Sequence, residues 1–262
     1  MEVVRLQGID GTECEAQVLD VSEVVALEQR IAAEGTPLLE LMKRAGRALA
    51  DVVMARVGAD ARVVVLAGSG NNGGDGWVAA RILADVGYQV VVVTKVVPAE
   101  LQAEPVRTAA LEAIASGGFE IEVDPGEVEL KALLDPASVI VDAILGTGFA
   151  HDEVREPYAI WIDLANAARE GAGAGDVSGS ARNGLVATSD EAAGSARHRD
   201  EISISPMVVA ADCPSGLNAQ TGSHATQCLV ADITVTMLTP KRGLVAPNAA
   251  PFIGELLLAD LS

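Results

Sequence analysis

Between residues 21 and about 57, apolar side chains recur at steps of three and four: Val24, Val25, Leu27, Ile31, Leu38, Leu41, Met42, Ala45 and Leu49. That period predicts helix. Gly35-Thr36-Pro37 divides the run in two, with Thr36 as an N-cap and Pro37 as the first residue of the second helix. The texture then changes. Residues 62–67 (RVVVLA) and 89–94 (QVVVVT) are short, continuous, β-branched runs, which predict buried strands. A helix through Val78, Ile82 and Leu83, ending at Gly87, lies between them. Further strands are expected near 119–123, 138–142, 207–211, 231–237 and 253–258, with helices over about 99–116, 126–134 and 157–168. Strands alternating with helices predict an α/β fold with a mostly parallel sheet.

Two segments fall outside that rhythm. Residues 1–19 show no clear period and are expected to form a loose arm. Residues 166–205 are rich in Ala, Gly and Ser and lack aromatics, so they have little to bury and read as a flexible insertion in one domain spanning 1–262.

Composition narrows the function. Half of the 262 residues are hydrophobic but only 3% are aromatic, so the core must be aliphatic. A net charge of −19 argues against nucleic acid as a partner, because phosphate backbones need clustered cations. Cys14, Cys213 and Cys228 have no paired spacing, which leaves neither a disulfide framework nor a zinc motif. With no apolar leader and no run long enough to span a bilayer, a cytoplasmic protein without a membrane partner is expected.

Ligands of open α/β sheets bind outside the carboxyl ends of the strands, and three of those ends are chemically unusual here. After residue 67 comes GSGNNGGDG, with five glycines in nine positions, which lets backbone amides approach a phosphate. It formally matches G-x-G-x-x-G, a weak signal alone. Asn71, Asn72 and Asp75 add a polar constellation for a ribose, a cation or a reacting group. The second end is DAILGTGFAHD, where Asp142 followed by a Gly-x-Gly turn suits a metal ion or a ligand hydroxyl. A helix-capping Asp is the plain alternative, and His151 alone reads as a surface residue. The third is DCPSGL, with Asp212 at a strand end and Ser215 three residues on. No nucleophile elbow surrounds Ser215, so ligand or ion contact is the better reading. Asn72, Asp142 and Ser215 bring hard oxygens from three separate strand ends, a set that suits a hard cation.

Taken together, Gly70-Asn71-Asn72-Gly73-Gly74-Asp75-Gly76, the 142–148 segment with Val154-Arg155-Glu156-Pro157, the 212–217 turn, Ala231-Asp232-Ile233-Thr234-Val235-Thr236 with Pro240-Lys241, and Leu41-Met42-Lys43-Arg44-Ala45-Gly46 resemble the YjeF N-terminal domain family, the NAD(P)H-hydrate epimerases. The resemblance covers about residues 20–260 outside the insertion. It implies a Rossmann-like three-layer αβα sandwich, often a homodimer. It implies interconversion of the R and S epimers of NADHX and NADPHX, the hydrated and redox-dead nicotinamide nucleotides. It also implies a potassium ion held by Asn72, Asp142 and Ser215. Carried over by position, Asn71, Asn72, Gly73, Gly74, Asp75, Gly146, Thr147, Gly148, Phe149, Ala150, His151, Asp152 and Asp212 would contact the substrate. Many relatives are fused to an ADP- or ATP-dependent dehydratase; with the sequence ending at Ser262, that partner is expected on a separate chain. Three positions depart from the pattern: Cys213 replaces an aliphatic residue, Lys43 a common Glu, and Ala150 a Lys of some relatives. If that lysine is catalytic elsewhere, His151 or Asp152 is the substitute.

The hydrate is a hemiaminal, so an acid that protonates its hydroxyl lets the ring nitrogen expel water. Asp212 and Asp75, at strand ends beside the expected dinucleotide site, are the candidate general acid/base groups. The alternative is a non-catalytic nucleotide-binding or protein-interaction module of the same fold. An ordinary NAD dehydrogenase fits less well, because the second strand ends in Thr94-Lys95 where a ribose-binding acid is wanted, and a kinase lacks its Walker lysine.

Overall fold

The computed structural model describes residues 3–171 and 205–261. Its frame is one nine-stranded sheet: β1 (Val3–Gly8), β2 (Glu13–Gln17), β3 (Arg62–Ala67), β4 (Gln89–Thr94), β5 (Glu120–Val123), β6 (Val139–Ala143), β7 (Met207–Ala211), β8 (Ile233–Met237) and β9 (Glu255–Ala259). The order across the sheet is β2-β1-β9-β8-β7-β6-β3-β4-β5. Every pairing is parallel except β1 with β2.

The continuous aliphatic runs become the central strands because both of their faces are covered. Val63 and Val65 of β3, with Val139 and Val141 of β6, point into one core shared with α2 (Leu38–Arg56), α3 (Asn71–Asp85) and α4 (Val106–Ser116). Val64, Leu66 and Ile140 point into a second core beneath α5 (Glu127–Leu134) and α6 (Tyr158–Glu170), where Leu130, Leu134, Trp161 and Ile162 are buried. The result is a three-layer αβα arrangement. Helix α1 (Val21–Ala33) lies beside α2 and buries only Val24.

Three sequence expectations change. The 1–19 arm is instead the β1–β2 hairpin, which pairs alongside β9. Val4 and Leu6 turn toward the same side as their partners Ala16 and Cys14, while Arg5, Glu13 and Glu15 face solvent. Two or three apolar positions per strand are too few to register as a period, so pairing with β9 decides the structure. Second, α2 begins at Leu38, and Pro37 rather than Thr36 is its N-cap. Third, α6 runs to Glu170, a little past the expected helix end near 168 and into the stretch from 166 that reads as insertion. Asn166 there donates to the Cys228 carbonyl (2.9 Å) and accepts from Val230 N (2.9 Å), and Arg169 pairs with Asp232 at 2.6 Å. Polar residues that read as loop find polar partners across the chain. The rest of the expected insertion, 172–204, lies outside the described residues.

The central order β5-β4-β3-β6-β7-β8 is the 3-2-1-4-5-6 order of dinucleotide-binding sheets. The strand order reverses between the parallel neighbours β3 and β6, which opens a crevice at their carboxyl ends.

Candidate active site

The loop after β3 folds so tightly that two of its glycines have no room for a side chain. A Cβ on Gly68 would stand 1.9 Å from the Ile144 carbonyl oxygen, and one on Gly73 would stand 1.9 Å from the Gly68 carbonyl oxygen. These contacts draw the start of α3 against the loop after β6. Helix α3 opens at Asn71 with Gly70 as N-cap, so its first amides and positive dipole end face the crevice.

There the three polar strand ends meet. Asp142 and Ser215 are fully buried, and Asn72 nearly so. Ser215 Oγ donates to Asp142 Oδ1 (2.6 Å), and Ser215 N donates to Asp142 Oδ2 (2.7 Å). Leu145 N donates to Ser215 Oγ (2.9 Å), and Asn72 Nδ2 donates to the Leu145 carbonyl (3.0 Å). Burial lifts the Asp142 carboxyl to about 6, and the Ser215 and Ile144 hydrogen bonds pull in the opposite direction. Among the described residues no basic side chain contributes, so ionised Asp142 is a buried negative charge without a counter-charge there.

A cleft of about 760 Å³ opens beside this cluster. Its walls include Ser69, Asn71, Asn72 and Asp75 from the first loop, Gly146, Thr147, Gly148, Phe149 and His151 from the second, and Asp212 from the third. Gly73 and Gly74 are buried behind the wall, where a Cβ on Gly74 would run into Met42. Ala150 and Asp152 are exposed and outside the lining, and the Asp152 carbonyl accepts from Thr226 N (3.0 Å). His151 packs edge-on against Phe149 at 5.9 Å.

Two residues absent from the sequence-based site complete its electrostatics. Lys241, after β8, is 1% exposed, and its ammonium ion-pairs with Asp212 Oδ1. The same nitrogen donates to the Met237 carbonyl (2.9 Å) and to Thr236 Oγ1 (3.2 Å). Asp212 also accepts from Met237 N (3.0 Å) and holds a left-handed backbone at φ 62°, a conformation that costs a non-glycine residue about 1 kcal/mol. Glu28, from α1, lines the cleft as a third carboxyl group; burial and Asp212 raise its pKa. Asp75 is packed more deeply still. Burial first, then the charges of Asp212 and Glu28, lift it well above the carboxylate range, and no hydrogen bond to its carboxyl forms among the described residues. Lys241 was visible only as part of a Pro-Lys dipeptide, and Glu28 as one acid on a polar helix face.

The fold and this crevice define a doubly wound α/β protein whose polar groups converge at the topological switch point. A model of the family described as YjeF-related protein N-terminus matches residues 38–243, and the chain belongs to that family. It is 36% identical over 230 residues to the bifunctional NAD(P)H-hydrate repair enzyme Nnr of Pyrobaculum aerophilum, covering 87% of this chain and 38% of that one. It is 32% identical over 228 residues to the NAD(P)H-hydrate epimerase of Limosilactobacillus fermentum, covering 86% of this chain and 87% of that one. The chain thus spans little more than a third of the bifunctional relative. Among solved structures, the yeast protein ynu0 superposes with a TM-score of 0.64 at 21% identity, over 92% of this chain and 87% of that one, which shows the shared fold. No helix among the described residues is long and apolar enough to cross a membrane.

Proposed function

We propose that this chain is an NAD(P)H-hydrate epimerase, interconverting the R and S epimers of NADHX and NADPHX in nicotinamide nucleotide repair. The observation that carries the reading is the pair of carboxyl groups, Asp75 and Asp212, that line one cleft in different surroundings. Asp75 is the acid: desolvation and the neighbouring charges of Asp212 and Glu28 favour its protonated form. Asp212 is the base: it is held by an ion pair with the buried ammonium of Lys241.

The chemistry follows. Asp75 protonates the hydroxyl of the hemiaminal, the ring nitrogen's lone pair expels water, and a planar cation results. Asp212 and Glu28 offset that positive charge in a partly dehydrated cleft. Asp212 then accepts a proton from the water that returns, and return to the opposite face gives the other epimer. The free amides at the start of α3 suit the substrate's pyrophosphate.

The residues present also fit a potassium ion. Asn72, Asp142 and Ser215 would hold it, with the Leu145 carbonyl beside them. It would supply the positive charge that buried Asp142 lacks and tie the three strand-end loops together. The names of the epimerase and bifunctional relatives support a place in hydrate repair. To this reading we attach a homodimer, a cytoplasmic location and a reaction partner, a separate ADP- or ATP-dependent NAD(P)H-hydrate dehydratase.

The test is the epimerisation of purified R-NADHX followed by chromatography, in potassium and in sodium, for wild type and Asp212→Asn. Rapid equilibration that slows in the variant supports the assignment. A folded wild type that leaves the R epimer untouched would sink it and favour a binding module.

A further inference from the structure

We propose that Lys95 recognises the 2′-phosphate of the substrate's adenosine ribose, so that this chain acts on NADPHX in preference to NADHX; the inference rests on the epimerase reading above. In sheets with this strand order, the residue at the carboxyl end of the second strand meets the adenosine ribose. An acid there bonds the 2′-hydroxyl, whereas a basic residue accommodates a 2′-phosphate. Strand β4 occupies that second position. Its last residue, Thr94, is level with Ala67 of β3, so Lys95 emerges beside Gly68, where the glycine-rich loop begins.

The surroundings of Lys95 are built. Thr94 Oγ1 donates to the Val96 carbonyl (3.1 Å), and Asp124 N donates to the Thr94 carbonyl (2.7 Å), which fixes the turn. The Lys95 ammonium lies 5.8 Å from the centre of the Tyr158 ring. That ring stands edge-on to Trp161 at 5.2 Å, and its hydroxyl shares a 3.0 Å hydrogen bond with Ser69 Oγ. Ser69 and Tyr158 both line the cleft, so the cation sits on its rim.

Charge makes the same point. The chain carries 37 acidic and 18 basic residues, and its cations are widely paired: Lys43 with Glu112, Lys131 with Asp135, Arg169 with Asp232. Lys95 has no ion-pair partner among the described residues, although Asp124 follows directly on Val123, the β5 partner of Thr94. A substrate with an extra phosphate dianion needs a cation along the cleft, and Lys95 supplies one at the ribose position. A 2′-phosphate accepts charge-assisted hydrogen bonds from it, whereas a 2′-hydroxyl gains little.

Two measurements decide the matter: kcat/KM for R-NADPHX and R-NADHX, and calorimetric titration with NADP+ and NAD+. Wild type, Lys95→Met and Lys95→Arg are compared, with circular dichroism to confirm folding of this exposed position. We expect wild type to favour the 2′-phosphorylated form by about tenfold or more in at least one measurement, Lys95→Met to erase that ratio, and Lys95→Arg to retain it. Equal handling of both forms by wild type, or a preference that survives in Lys95→Met, overturns the inference while leaving the epimerase intact. A Lys95-dependent preference for NADP+ without epimerisation supports the phosphate site and overturns the epimerase reading. If neither hydrate reacts and neither nucleotide binds, both fall.

Discussion

The crevice holds two carboxylate clusters, a buried one around Asp142 and a half-buried one around Asp212, and they are built on opposite principles. Around Asp142, every carboxylate oxygen accepts a hydrogen bond from Ser215 or Ile144, and among the described residues no basic side chain pairs with it. Around Asp212, a buried lysine is present, and two further carboxyl groups, Asp75 and Glu28, face the same space. The first cluster joins three loops and leaves a charge to be met by a cation. The second favours the protonated form of Asp75 and sets it beside an Asp212 that is ion-paired to Lys241, which suits proton transfer. Side chains of the same type thus take a structural and a chemical role according to what surrounds them.

The largest test of that division is the rate. Asp75→Asn removes the acid while preserving shape, and kcat for epimerisation should fall about 10²- to 10⁴-fold, measured by chromatography of the hydrates. A loss below tenfold would break the contrast. The same variant should become progressively more stable than wild type as pH rises. Below about pH 4 the Asp75 side chain is uncharged in both folded and unfolded chains, so the two proteins match. Above that, the unfolded chain ionises while the folded one, with its raised pKa, holds the proton; stability is lost until pH passes the folded value, and Asn escapes this. Thermal melts from pH 4 to 8 would show the gap widening.

Next in size, Lys241→Met leaves Asp212 charged without its partner. A loss of about 3 kcal/mol in denaturant midpoint stability is expected, at the low end for a broken buried pair because Asp212 keeps some exposure. Ser215→Ala removes a donor to Asp142 and the acceptor of Leu145 N, and should cost about 1–3 kcal/mol. Unlike Lys241→Met, it should also blunt any difference between potassium and sodium in thermal melts. The smallest effect belongs to Lys43, which pairs with Glu112 at 2.7 Å on the surface; Lys43→Ala should cost less than about 1 kcal/mol. That pair also gives Lys43 a local role on α2.

The central strands were legible because runs such as RVVVLA and QVVVVT suit only a sheet covered on both faces. The three functional loops were legible because Asn-Asn-Gly-Gly-Asp-Gly and Asp-Cys-Pro-Ser-Gly-Leu place carboxylates, amides and glycines where no core needs them. The hairpin of residues 3–17 was not, since its strands carry too few apolar residues apiece and gain their place from β9. The polar end of helix α6, which overlaps the stretch read as insertion, was not, since among the described residues Asn166 and Arg169 find their partners at Cys228, Val230 and Asp232, more than sixty residues away.

The sequence by itself determined the α/β alternation, the family and the loops that carry Asn72, Asp75, Asp142, Asp212 and Ser215. Local periodicity and glycine-rich turns are properties of neighbouring residues, so they survive in one dimension. Only the tertiary structure decided that Lys241 neutralises Asp212, that Glu28 joins Asp75 in the cleft, and that Lys95 stands beside the loop after β3. The charge state of a side chain depends on burial and on groups brought near it from far along the chain, and folding alone sets both.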